Sequence, residues 1–417
     1  MLSYIVEGGR KLEGVVNISG SKNASLPIIA GSILSGKITK LYNVPNIHDT
    51  QITLKILKLL GCKVRKNHDK IEINTKGMNQ KKIPEDLMSQ MRSTVIMAGA
   101  IIGRFKEAIF SYPGGCEIGA RPIDLHLSAF KKLGINIEEN AGFIHCKCDK
   151  IVGADIDLDF PSVGATENII LATVLSEGVT TITNAAMEPE IEDLIKFLNR
   201  MGAKIEGAGT NIIKITGVKV LKNVSYKVMP DRIEAGTFLC AAAITGGNIE
   251  LNNAQPEHIT PIVSKLQEAG CKINIENNKI KIDAPKKLKS VDIKTMPYPG
   301  FPTDMQSIYG SILSIAKGTS VIIENIFENR YKYIYELQKM GAKAQVEGKI
   351  AVIKGIKKFK ASQVNSTDLR GGAALVLAAL NAKGQTKINN IEYIQRGYEN
   401  FEDKLQNLGA KIYIKDT

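Results

Sequence analysis

The sequence predicts an α/β protein of two similar domains, each made of three repeats in which buried helices pack on small sheets. Three observations lead there. At 417 residues the chain is too long for one ordinary core. A phrase of the form apolar-x-x-apolar-Gly recurs as Leu57…Leu60-Gly61, Phe130…Leu133-Gly134, Leu198…Met201-Gly202, Leu266…Ala269-Gly270, Leu337…Met340-Gly341 and Leu405…Leu408-Gly409. Successive glycines stand 73, 68, 68, 71 and 68 residues apart, the period of an internal repeat.

Each element of the repeat carries its own signal. The apolar pair at i and i+3 is one face of a helix, and the Gly after it supplies a left-handed C-terminal cap. Lys commonly stands two residues after that Gly, where a strand begins. Lys272–Ile275 and Lys279–Ile282 alternate apolar and polar residues around the polar turn Glu276-Asn277-Asn278, as a hairpin does. About 40 residues before each Gly, a Ser, Thr or Asp opens a long helix of small apolar residues. These openings lie near Ser21, Ser93, Ser162, Asp231, Thr303 and Thr367. Such helices, Ala373–Leu380 among them, are apolar nearly all round and belong inside. A more amphipathic helix such as Ile191–Met201 covers each repeat.

The sixth repeat stops after one strand, Lys411–Lys415, and the chain starts with a spare arm, Tyr4–Gly8. Gly14–Ser19 then leads into the first buried helix. Residues 1–20 are therefore expected to complete the last domain. This divides the chain into residues 21–229 and residues 1–20 plus 230–417, with a double crossover near 20 and 229. Helices that start from one side of each domain would direct their positive N-termini at an interdomain cleft, a place for phosphates.

Composition narrows the class. With 44% hydrophobic and 23% charged residues the chain reads as a soluble globular protein. Its longest apolar stretches fall short of a membrane span, and the N-terminus has no export signal. Six cysteines without a CxxC pair read as reduced thiols in the cytoplasm. Cys146-Lys147-Cys148 beside His145 lies on an alternating strand and lacks the spacing of a zinc site. No Rossmann, P-loop or Gly-x-Ser-x-Gly motif occurs, so neither metal nor cofactor is expected. The net charge of +13 is mostly scattered Lys, which reads equally well as a solvated surface and as attraction for an anion. Without Trp or a basic–aromatic ladder, nucleic acid is not an expected partner. The ten arginines are more selective, because a planar guanidinium suits carboxylate and phosphate.

Several segments exceed what repeat packing requires. Ser19-Gly20-Ser21-Lys22-Asn23 places a Lys at a helix N-terminus, suited to an anion. Gly114-Gly115-Cys116-Glu117-Ile118-Gly119-Ala120-Arg121-Pro122 is a glycine-rich loop in which Arg121 favours the Cys116 thiolate. Pro302-Thr303-Asp304 places a carboxylate in a first helical turn, where it is either a cap or a general base. Arg370 and Arg396 read singly as surface ion-pair partners; together with Lys22 and Arg121 they could form a clamp for a small anion of high charge.

Together these motifs, in order along nearly the whole chain, resemble the UDP-N-acetylglucosamine 1-carboxyvinyltransferases of the enolpyruvyl transferase family. The motifs are Ser-Gly-Ser-Lys22-Asn23-Ala, Gly-Gly-Cys116-Glu-Ile-Gly-Ala-Arg121-Pro-Ile-Asp124-Leu-His126, Ser162-Val-Gly164, Phe-Pro-Thr-Asp304-Met-Gln, Glu-Asn-Arg330, Thr-Asp368-Leu-Arg370 and Arg396-Gly-Tyr-Glu. The resemblance implies two inverse α/β domains of three repeats, with the active site in the cleft between them. It implies phosphoenolpyruvate near Lys22, Asn23, Arg121, Arg370 and Arg396. UDP-N-acetylglucosamine is implied along Asn23, Arg92, Arg121, Pro122, Ile123, Asp124, Leu125, Ser162, Val163, Gly164, Asp304 and Ile326. Cys116 is then the proton donor to C3, Asp304 the candidate base, Lys22 a catalytic cation, and Cys116 the target of fosfomycin. One departure is Tyr298, which stands where some family members carry His and which cannot carry a proton near neutrality. The sister enzyme acting on shikimate 3-phosphate and a silent second copy remain the alternatives, and the Cys116 loop speaks against the sister.

Overall fold

The computed structural model describes residues 2–67, 69–114 and 123–416. His68 and residues 115–122 lie outside that range, and with them Cys116, Arg121 and Pro122. The chain forms two compact units, a C-terminal unit (residues 2–19 and 230–416) and an N-terminal unit (residues 20–114 and 123–229), each with its own core.

Each unit centres on three helices. In the N-terminal unit they are α1 (Lys22–Gly31), α2 (Ile96–Phe105) and α3 (Val163–Thr173); in the C-terminal unit, α4 (Arg232–Thr245), α5 (Gln306–Leu313) and α6 (Leu369–Asn381). Every residue of α6 from Arg370 to Leu380 is buried, as expected of an apolar, small-residue helix. Small residues also set the spacing. A Cβ on Gly99 of α2 would stand 2.4 Å from Asn168 Oδ1 of α3, and one on Gly103 would stand 2.5 Å from the Leu171 carbonyl oxygen. No larger residue lets those two helices meet.

The starts of these helices refine the expected openings. Ser21, Ser162 and Asp231 are N-caps, accepting from Ala24 N, Ala165 N and the amides of Ile233 and Glu234. The opening placed near Thr367 falls on Asp368, whose carboxylate takes the amides of Arg370 and Gly371. The two near Ser93 and Thr303 begin as 3-10 turns, Arg92–Val95 and Thr303–Met305, before the helix proper. The six repeat glycines all have left-handed φ, from +80° at Gly134 to +102° at Gly270, which closes the helix before each in the manner expected.

In a typical repeat, a strand after the buried helix pairs in parallel with the edge strand before that helix and antiparallel with one arm of a hairpin. Thr319–Ile323 thus lies between Ile293–Lys294 and Ile350–Lys354. In the hairpin Lys272–Glu276 and Lys279–Asp283, Ile280 and Ile282 point into the core while Lys279 and Lys281 face solvent. Strand Leu2–Glu7 sits between Gln385–Asn389 and Lys411–Asp416 and supplies the arm that the sixth repeat lacks. The first and fourth repeats exchange edge strands. Glu13–Asn17, which leads into α1, pairs instead with Asn248–Asn252 after α4, and Val224–Lys227, which leads into α4, pairs with Ile38–Tyr42 after α1. Each crossover strand is held inside its own unit. Ser19 donates its amide to Glu234 and accepts from Lys404 at its hydroxyl, while the Met229 amide donates to Asp193.

A further regularity joins parallel strand ends. Asn43, Asn184 and Asn253 each follow a central strand with φ between +53° and +58°, a conformation Asn tolerates. Their side-chain amides donate to the carbonyls of Val228, Leu158 and Ile18, each the residue just past the parallel edge strand.

Candidate active site

The expected site residues fall into groups that can be built unit by unit. In the C-terminal unit Asp304 does not act as a helix cap. Its Oδ1 accepts from Arg330 Nη2 at 2.7 Å, and its Oδ2 accepts from Arg370 Nε at 3.2 Å and Nη2 at 3.1 Å. The two arginine side chains are 3% and 2% exposed, whereas Asp304 is 27% exposed. The carboxylate is therefore the accessible rim of a buried cationic pair.

Arg370 corrects the reading of a surface ion-pair partner. Because α6 opens directly beneath it, its guanidinium is enclosed and lies 5.1 Å from the Tyr398 ring centre, and the Tyr398 hydroxyl meets Thr237 Oγ1 at 2.9 Å. Burial alone would weaken the Arg370 charge. The facing Tyr398 oxygen and the Asp304 and Asp231 carboxylates more than offset that, so it stays protonated. Arg396 is half-buried at the end of the turn Glu392–Gln395, two residues before Tyr398. The same loop is seated on the start of α6, where a Cβ on Gly397 would stand 2.6 Å from Leu369. Ile326 lies in the connection after Thr319–Ile323, with its amide donated to Glu324 Oε1 at 2.9 Å.

In the N-terminal unit Lys22 opens α1 and its Nζ pairs with Asp49 Oδ2 at 2.8 Å. Asp49 is 1% exposed and stands in the first turn of the helix His48–Leu59, whose N-terminal amides favour a carboxylate. Asn23 is the half-buried neighbour of Lys22.

A second group in that unit forms where two helices begin side by side. Ile123 precedes the helix Asp124–Lys132, which carries exposed Asp124 and half-buried Leu125, while Ser162, Val163 and Gly164 open α3. His126 joins them. Asn168 Oδ1 takes the Gly99 amide, so Asn168 Nδ2 donates both to the Val95 carbonyl and, at 2.7 Å, to His126 Nδ1. That leaves the imidazole proton on Nε2. Burial first, and the Arg92 charge second, push the His126 pKa down to about 4, so the ring is neutral. Its edge rests on Gly164, where a Cβ would stand 3.2 Å from Cε1. Arg92, Ile123–Leu125 and Ser162–Gly164 thus share one neighbour.

The remaining cysteines behave differently from what is expected of Cys116. Burial pushes Cys62 up to about 11 and Cys146 and Cys271 up to about 12, which keeps these thiols protonated. His145 pairs with Glu107 at 3.0 Å, and among the described residues no His, Cys, Asp and Glu cluster could hold a metal. No helix of the described chain is long and apolar enough to cross a membrane.

Sequence reasoning assigned no role to Asp49, Asn168, Glu324, Arg330 or Tyr398. Arg330 and Tyr398 stood inside recognised motifs. Asp49 and Asn168 carry no local signal, because their partners lie far away along the chain, and Glu324 joins two neighbouring amides to the distant Thr295 and Thr303.

Comparison with known proteins gives the family. Residues 6–405 match the family model of EPSP synthase (3-phosphoshikimate 1-carboxyvinyltransferase). The chain is 50% identical, over 99% of both sequences, to UDP-N-acetylglucosamine 1-carboxyvinyltransferase 2 of Caldanaerobacter subterraneus subsp. tengcongensis. It is 48% identical to the protein of that name from Clostridium tetani, over 99% of this chain and all of the other. The fold matches the enolpyruvyl transferase NikO of Streptomyces tendae with a TM-score of 0.89 at 22% identity, over 100% of this chain and 99% of that one. It matches EPSP synthase of Acinetobacter baumannii with a TM-score of 0.76 at 19% identity, over the full length of both. The chain belongs to the EPSP synthase family of enolpyruvyl transferases and, within it, to the UDP-N-acetylglucosamine 1-carboxyvinyltransferases.

Proposed function

We propose that the protein transfers the enolpyruvyl group of phosphoenolpyruvate to the 3′-hydroxyl of UDP-N-acetylglucosamine and releases phosphate, the first committed step of peptidoglycan synthesis, in the cytoplasm. The observation that carries this reading is the full-length identity to relatives named for that reaction, and the presence of Lys22, Cys116, Asp304, Arg370 and Arg396 in the motifs that resemble that family is consistent with it.

The chemistry is addition followed by elimination. The sugar oxygen bonds to C2 of phosphoenolpyruvate and its proton leaves toward Asp304, while C3 takes a proton from the Cys116 thiol. The tetrahedral adduct then expels phosphate from C2 and loses a proton from C3, which restores the double bond as an enol ether. Lys22, Arg121 and Arg396 are assigned to the phosphate and carboxylate charges, where fixed cations lower the barrier. The uridine end is assigned to Ile123–Leu125 and Ser162–Gly164. A carboxylate held by Arg330 and Arg370 is fixed in direction, which suits it to accept the hydrogen bond of an incoming hydroxyl.

The test is phosphate release from phosphoenolpyruvate by the wild type and by Cys116→Ser. Release that requires UDP-N-acetylglucosamine and falls by at least about a hundredfold in the variant supports both the reaction and the proton donor. Full activity in the variant removes the role of Cys116. Fosfomycin is expected to add its mass to the wild type at Cys116 and to leave the variant unlabelled.

A further inference from the structure

The fifth repeat departs from the asparagine clasp of the first, third and fourth repeats, and it does so in the segment bonded to the Asp304 turn. In three repeats the residue immediately after the central strand is a left-handed Asn whose amide clasps the parallel edge strand. In the fifth, the clasp is made by Asn325, whose Nδ2 donates to the Thr295 carbonyl at 3.0 Å. Thr295 is just past the edge strand Ile293–Lys294, the position of the acceptor in the other repeats. Glu324 is thus an extra residue between strand and clasp. Repeat packing does not require it, and a buried carboxylate is costly unless its oxygens are satisfied.

Glu324 is 0% exposed and its oxygens are well used. Oε1 accepts from Thr295 Oγ1 at 2.8 Å, from Ile326 N at 2.9 Å and from Phe327 N at 3.2 Å. Oε2 accepts from Thr303 Oγ1 at 2.9 Å. The first oxygen therefore holds the turn that presents Ile326, and the second holds the residue next to Asp304. Two segments far apart in sequence, one assigned to the sugar and one to its hydroxyl, are fixed on a single carboxylate.

We propose that Glu324 is a positioning residue that sets the Asp304 turn and the Ile326 turn at one separation, so that a sugar nucleotide held at Ile326 presents its hydroxyl to Asp304. It touches no reacting atom. The proposal rests on the function proposed above and deepens it.

Thr303→Val tests it with little disturbance, since it deletes only the bond that reaches the Asp304 turn and leaves the other three donors on Glu324. The expected result is a fall in kcat of about tenfold, the effect of one hydrogen bond, with KM for phosphoenolpyruvate within about twofold. Thr303→Ser, which restores the hydroxyl, is expected to recover kcat. A merely structural role would move thermal stability and leave the turnover of folded enzyme unchanged, so that pattern, or kcat unchanged in Thr303→Val, overturns the proposal. Calorimetric binding of UDP-N-acetylglucosamine separates this failure from failure of the proposed function. Glu324→Asp, one methylene too short to reach both turns, is expected to weaken that binding about tenfold. If the wild type binds the sugar nucleotide but releases no phosphate, the proposed reaction fails and the binding ratio alone decides; equal affinity in Glu324→Asp overturns the positioning role. A wild type that neither binds nor turns over overturns both.

Discussion

The two units each carry a charged group expected at the reaction, and they hold it differently. In the C-terminal unit Asp304 is gripped by Arg330 and Arg370, two guanidiniums sealed from solvent. In the N-terminal unit Lys22 is paired with Asp49, a carboxylate in the first turn of a helix. Asp49 is as sealed as the arginines, but it stands in the first turn of a helix whose dipole favours a carboxylate if Lys22 is removed, and the arginines have no such aid. The C-terminal centre is thus a preset charge cluster whose parts depend on one another. The N-terminal pair leaves its lysine separable.

The sharpest way to break this contrast is to delete each charge in turn. Asp304→Ala removes the carboxylate that two buried guanidiniums share and is expected to cost about 3–5 kcal/mol of stability. Lys22→Ala is expected to cost only about 1–2 kcal/mol, because the Asp49 carboxylate keeps its helix N-terminus. Denaturant unfolding of both variants against the wild type measures the pair. Equal costs would erase the distinction.

A pH effect sharpens the N-terminal side. The His126 pKa is depressed to about 4 by burial and by Arg92, so the native state takes up a proton less readily than the unfolded chain. The sign follows from proton linkage. His126 contributes no penalty above its unfolded value near 6.5, and stability is lost as pH falls from there toward 4, by up to about 3 kcal/mol. His126→Gln should flatten that part of the profile in denaturation measured between pH 7 and 4. A slope that survives the substitution would assign it to other groups.

The fold was legible where the cause is local. Glycines such as Gly61 and Gly409 announce left-handed caps, and the alternation in Lys279–Ile282 announces a half-buried strand. The opening at Thr367 missed by one residue because Thr367 and Asp368 are both good caps and only the carboxylate reaches the two amides. The exchange of edge strands between the first and fourth repeats was not legible, since Glu13–Asn17 suits either sheet by pattern and only the crossover decides. In the site, the charged residues stood out as types out of place, while their anchors did not. Asn168 is an ordinary helical polar residue until Gly99 lets α2 close on it, and Glu324 is an ordinary strand-end acid until the Asn clasp of three other repeats is seen. Arg370 was misread as exposed because its burial follows from Tyr398 and Asp304, both remote in sequence.

The identity of the acceptor separates the two enolpyruvyl transfer reactions most directly. Incubation of the wild type with phosphoenolpyruvate and an equimolar mixture of UDP-N-acetylglucosamine and shikimate 3-phosphate, followed by mass spectrometry, reads it in one step. The sugar nucleotide is expected to be converted to its enolpyruvyl ether and shikimate 3-phosphate to be left intact. Conversion of shikimate 3-phosphate with the sugar nucleotide unchanged would contradict that expectation.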